Sequence, residues 1–231
     1  MPSTFVFALF VATLAGAANA IAGPSQCYGT VSHGRITDSV SLPASGTNFI
    51  AYHTEPASHG RTHVHSTVAE IIVATYAALA TTRPHTTWVY GETGVAAGGP
   101  FPPHRSHQNG TSVDFFVPVI NAIGKSTPLP TDADTHYGYD IEFDAQGRYR
   151  DYRIDFDAMA EHLYQLQREA KARSVDIALV IFDLPYLPRL FATHRGAYLK
   201  RNLVFMKTRP WVRHDEHYHV DFAIPCKLAA P

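Results

Sequence analysis

Thr67-Val68-Ala69-Glu70-Ile71-Ile72-Val73-Ala74-Thr75-Tyr76-Ala77-Ala78-Leu79, followed beyond Arg83-Pro84 by Thr86-Thr87-Trp88-Val89-Tyr90-Gly91, decides the fold class. Thr67 and Glu70 have capping-box spacing. Apolar side chains at Val68, Ile71, Ile72, Tyr76 and Leu79 keep the 3.6-residue period of an amphipathic helix, which should end near Thr82. The β-branched and aromatic run after it, closed by Gly91, reads as a strand.

The same reading extends outward. Residues 21–65 are rich in Gly, Pro, Ser and His and read as an extended arm with short strands over 29–41. A Gly/Pro loop at 94–103 leads to an alternating, aromatic strand over 113–120 that places Asp114 near its start. Residues 124–151 look like a hairpin or insertion loop, and 156–173 carry helical spacing. The nearly all-apolar run 176–182 reads as a buried strand, 184–203 as a loop with helical turns, and 218–224 as a last strand. This order is not βαβα. It predicts an α+β domain with a mainly antiparallel sheet, flanking helices and long loops.

The first twenty residues carry no charge, run apolar from Phe5 to Ala15 and end in Ala18-Asn19-Ala20, the pattern of a cleavable secretory leader. Residues 21–231 are then expected to form one domain without a membrane span. With 19 Lys and Arg, 20 Asp and Glu and no basic run, the chain lacks the electrostatic footprint of a nucleic-acid binder. Fourteen histidines point to metal or proton chemistry. Cys27 and Cys226 stand near opposite ends of an apparently exported chain, so a disulfide between them is expected, against the alternative of two buried thiols.

Two short segments carry the chemistry. Pro103-His104-Arg105-Ser106-His107-Gln108-Asn109-Gly110-Thr111-Ser112-Val113-Asp114 offers a histidine and, seven residues on, a carboxylate; Gly110 supplies permissive backbone for the turn between them. His214-Asp215-Glu216-His217-Tyr218-His219 offers two histidines that share a face of a strand. Two imidazoles and a carboxylate leave one position of tetrahedral Zn2+ open, as a hydrolytic site requires and a closed structural site does not. His53, His59, His63 and His65 are irregularly spaced in a polar stretch and read as solvated or helix-capping residues.

Gly98-Gly99-Pro100 through Ser106-His107-Gln108-x-Gly110-x-x-x-Asp114, paired with Arg209-Pro210-Trp211-x-x-His214-x-x-His217-x-His219-Val220, resembles the penicillin-insensitive murein endopeptidases, within the wider group of lysostaphin-type and D-Ala-D-Ala zinc peptidases. The likeness runs from about Gln26 to Pro225. It implies zinc on His107, Asp114 and His219, with His104 as a further possible ligand and His217 as catalytic base or transition-state stabiliser. His214 would flank the site. Glu216 imitates the glutamate base of the D-Ala-D-Ala dipeptidases, but strand alternation turns residue 216 away from 217 and 219. Arg209 and Trp211 are candidates for substrate contact. A second ion of that family has no convincing ligand set here, since Asp132, Asp134, His136 and Asp140 stand at other spacings; one ion per chain is expected.

The resemblance implies a periplasmic D,D-endopeptidase that cuts D-alanyl to diaminopimelyl cross-links in peptidoglycan. Its rivals are a D-Ala-D-Ala carboxypeptidase or dipeptidase on the same site, and a zinc-stabilised cell-wall binding module that cleaves nothing.

Overall fold

The computed structural model describes residues 24–53 and 59–229. The expected leader lies outside them. Among the described residues no helix is long and apolar enough to cross a membrane.

The arm is more ordered than its composition suggests. β1 (Gln26–Thr30) and β2 (His33–Thr37) form an antiparallel hairpin, and β3 (Val40–Ser41) pairs with β5 (His63–Val64). Between them, β4 (Phe49–Ala51) joins the main sheet. Cys27 is disulfide-bonded to Cys226, and the backbone beside the bond closes a short ladder, Gly29 N to Lys227 O and Lys227 N to Cys27 O.

α1 (Ser66–Thr82) buries Val68, Ile71, Ile72, Thr75, Tyr76 and Leu79, the stripe its period requires. Its cap differs from the expected one. The helix starts one residue before Thr67, and Nδ1 of His65 accepts from Thr67 N at 3.2 Å, so Glu70 is left to a 3.7 Å ion pair with Arg173. β6 (Trp88–Tyr90) follows as a buried strand.

The single strand expected over 113–120 is two. β7 (Ser112–Phe116) lies in the main sheet, and Pro118, which has no N–H for a ladder, precedes β8 (Val119–Ile120) in a smaller one. β9 (Ser126–Thr127), β10 (Arg148–Tyr149) and β11 (Tyr152–Ile154) complete that four-stranded sheet, with a 3-10 turn at Ala133–Gly138 between β9 and β10. α2 (Phe156–Ala172) is capped by the Asp155 carboxylate, which accepts from Ala158 N.

β12 (Ile177–Ile181) is not the fully buried strand its apolar run suggests. It is the edge of the main sheet, with Ala178 exposed, and the backbone of Val204 and Met206 bonds to Val180 along its outer side. α3 (Leu187–Phe191) and α4 (Gly196–Asn202) precede the last strand, β13 (His217–Phe222).

The main sheet runs β12-β13-β7-β6-β4, antiparallel except for β4 with β6. One face, carrying Val113, Phe115, Tyr218 and Val220, packs into the core with α1 and α2. His162 of α2 reaches this face edge-on to Phe115, and its Nδ1 is hydrogen-bonded to the Tyr218 hydroxyl at 2.8 Å. The opposite face carries Asp114, His217 and His219.

Candidate metal centre and active-site cleft

Register brings the two motifs together. Asp114 on β7 sits directly across from His219 on β13, and His217 is opposite Phe116. Side chains two apart on a strand share a face, so Asp114, His217 and His219 converge, and Asp221 extends the row. His107 arrives by a tight reversal: His107 (φ +68) and Gly110 (φ +75) are both left-handed. A Cβ on Gly110 would meet only the movable end of Ile36 at 2.5 Å and His65 N at 3.1 Å, so it is the left-handed backbone that chiefly asks for glycine there.

The protons of this cluster can be placed from its partners. His107 Nδ1 faces the Thr93 carbonyl at 3.3 Å, which can only accept, so the proton sits on Nδ1 and Nε2 keeps a lone pair. Burial holds the ring neutral by lowering its pKa. Nε2 looks at Asp114 Oδ2 across 3.3 Å, yet both atoms are buried and neither makes a hydrogen bond. Burial opposes the Asp114 charge, but the charged ring of His217 and the hydrogen bond from His219 outweigh it and hold the carboxyl well below the usual range.

His219 is gripped at both nitrogens, Nδ1 by Asp114 Oδ1 and Nε2 by Asp221 Oδ1, each at 2.8 Å. Burial alone would keep the ring neutral; Asp221 and Asp114 reverse this and raise it to about 10. Asp221 is further fixed by the Ser112 hydroxyl at 2.6 Å. A cation beside Asp114 would take the place of the Nδ1 proton, while Nε2–H stays on Asp221, the orienting contact that metal-binding imidazoles require.

His104 enters from the other side. Its Nδ1 is 3.6 Å from Asp114 Oδ2, and its Nε2 is engaged by Glu92 and by the Tyr139 hydroxyl. His104, His107 and Asp114 each offer one ligand atom within a 4.8 Å cluster, a grouping that could hold a metal ion. His219 adjoins it through the second Asp114 oxygen. Two orphaned buried atoms, a neutral imidazole lone pair and an ionised carboxylate make a donor set that suits a divalent ion such as zinc.

The remaining candidates divide. Glu216 does not turn away: it lies just ahead of β13, and its carboxylate curls back to accept from His217 Nδ1 at 2.7 Å. Burial favours neutral His217, but Glu216 and Asp114 lift it to about 9. His214 stands beside it, ring centroids 4.6 Å apart, with Nδ1 on the Val212 carbonyl and its pKa pushed down to about 3 by burial. These residues and Trp211 line a cleft of about 500 Å³; Arg209 does not, and lines a neighbouring depression with Asp183 and Tyr186. His65 does cap a helix, and His63 bonds Ser39.

Four participants escaped the sequence reading. Asp221 could have been found by continuing the His217-x-His219 alternation two residues further. Glu92, Arg61 and Tyr139 had no such signal. Glu92 is buried, ion-paired to Arg61 and His104, and accepts from the hydroxyls of Tyr52 at 2.9 Å and Tyr139 at 3.2 Å. Its burial is outweighed by His104 and Arg61, which bring its pKa to about 2.

Among known proteins, a family model described as penicillin-insensitive murein endopeptidase matches residues 27–229. No curated protein matches the chain.

Proposed function

Because the chain belongs to the penicillin-insensitive murein endopeptidase family, we propose that its domain, residues 21–231, is a zinc D,D-endopeptidase. It acts in the periplasm after loss of its leader and cuts D-alanyl to diaminopimelyl cross-links of peptidoglycan. The observation that carries this reading is the Asp114 carboxylate, with one oxygen on His219 Nδ1 and the other, unpaired, facing the free lone pair of His107.

His107, Asp114 and His219, with His104 as a further donor, would hold the zinc, which when bound would supply Lewis acidity for the scissile carbonyl and for a water molecule. The other tasks fall to the chain. His217 is fixed by Glu216 and presents Nε2 to the cleft, 3.9 Å from Asp114 Oδ2. A protonated ring there donates a hydrogen bond to the oxyanion that develops on the substrate and can pass its proton to the leaving amine. Glu216 is thereby an orienting partner of His217 rather than the base. Asp221 and Thr93 fix the ring orientations of His219 and His107.

Digestion of purified cross-linked sacculi, with and without chelator, tests the reading. Release of un-cross-linked muropeptides of the expected mass, abolished by chelator and restored by zinc, is the expected result. Removal of only a terminal D-Ala, or no product in any condition, would overturn it.

A further inference from the structure

Three arginines reach the cleft, and their charges meet different fates. Arg61 is ion-paired to Glu92; Arg213 is shared among Glu142, Asp183 at 3.4 Å and Asp215 at 2.7 Å. Arg105 forms no ion pair among the described residues. Its guanidinium lies over the indole of Trp211, 4.8 Å from the ring centroid.

Trp211 itself is out of place as packing. It is 51 % exposed while most of the large apolar side chains are buried, and it stands in the cleft wall. The pair spans the two loops that carry the histidine motifs: Arg105 lies between His104 and His107 in sequence, and Trp211 precedes His214. An exposed cation on an aromatic face contributes only about 0.5–1 kcal/mol, little reason to hold an indole in solvent. As a binding device the pair is better employed. The indole covers one side of the guanidinium and takes none of its N–H groups, which stay available to an incoming group. The fork they form matches a carboxylate through two parallel hydrogen bonds.

We propose that Arg105 and Trp211 form a subsite for a free carboxylate on a residue flanking the scissile bond, so that the cleft selects peptides ionised at that position over those amidated there. The inference rests on the peptidase reading of the cleft. An anion entering it meets Arg61 and Arg213 already neutralised and Arg105 alone uncompensated among the described residues.

The test compares two cross-linked peptides that differ only by carboxylate or carboxamide beside the scissile bond. Wild-type protein should favour the carboxylate in kcat/KM by roughly tenfold or more, the usual scale for a charge-assisted hydrogen bond. Arg105→Gln should bring that ratio to within about twofold of one, and Arg105→Lys should fall between, since a point charge lacks the fork. Tryptophan emission gives a reading independent of hydrolysis, because Trp88 is buried and Trp211 is not. The carboxylate product peptide should quench it at lower concentration than its amide, with or without metal, and Arg105→Gln should remove the difference. A wild-type ratio near one, or a preference that survives Arg105→Gln, would overturn the subsite. Selective quenching without hydrolysis would overturn the peptidase reading and uphold the subsite; equal hydrolysis of both peptides would do the reverse.

Discussion

Asp114 and His219 are cross-strand partners whose side chains meet at 2.8 Å, so the junction of the two motifs is built into the ladder of β7 and β13. A ladder contact is rigid in a way that two loops are not. Metal affinity should therefore depend on Asp114 more steeply than on His104, which approaches on a loop. Asp114→Asn should drop bound zinc from about one ion per chain to near zero, and His104→Ala should leave a substantial part of it; metal analysis after dialysis would measure both.

His217 is held by Glu216 and is not needed to gather the other ligands. His217→Ala should lower kcat by about 10²- to 10⁴-fold while zinc content stays at the wild-type level. Parallel metal analysis and muropeptide kinetics separate the two effects. Equal hydrolysis with full zinc would remove His217 from the mechanism, and zinc retained with no hydrolysis by either protein would favour a binding module.

Glu92 is the buried carboxylate partner of both Arg61 and His104. Glu92→Ala leaves Arg61 with the Pro102 carbonyl and His104 with the Tyr139 hydroxyl but neither with a carboxylate, and should cost about 2–4 kcal/mol of stability, somewhat under the roughly 3–5 kcal/mol usual for a broken buried pair because Arg61 keeps some contact with water. Urea unfolding would show it as a lower midpoint at unchanged slope.

His162 predicts an acid sensitivity located in the core. Burial depresses its pKa to about 3, so the folded protein refuses a proton that the unfolded chain accepts near 6.5. Its contribution is intact above that unfolded value and is lost progressively as pH falls from about 6.5 toward 3, at roughly 1.4 kcal/mol per pH unit. His162→Asn, whose amide can donate to or accept from the Tyr218 hydroxyl, should flatten the stability profile between pH 6.5 and 4. Identical slopes in the two proteins would contradict this.

The disulfide closes almost the whole described chain into one loop. Cys226→Ser should lower unfolding free energy by about 3–5 kcal/mol in the loop-closure picture, read by chemical denaturation at constant metal load.

How much of this was legible follows from range. Helix α1 and the shared face of His217 and His219 are local periodicities, and both were readable. The junction of Asp114 with His219 was readable only as a demand of chemistry, because β pairing over a hundred residues leaves no local trace. Thr67 lost the cap because His65, two residues earlier, has a ring nitrogen within reach. Glu216 was misjudged by parity because the strand begins one residue after it. Glu92 and Tyr139 carry no local signal: the loop after β6 and the residue that follows the 3-10 turn in a polar insertion meet only once the sheets have assembled.

The bond between Cys27 and Cys226 also backs the first motif. Asn109 Nδ2 contacts Cys226 Sγ at 3.5 Å, and Gln108 N donates to Val31 O in the hairpin that Cys27 anchors. Cys226 follows every candidate ligand in the chain, so thiol oxidation can stitch this backing only after the rest of the site has been synthesised. Closure of this clasp is thereby the last covalent step behind the first motif, and in a reducing compartment Asn109 and the 31–33 turn would lose the tether that backs it.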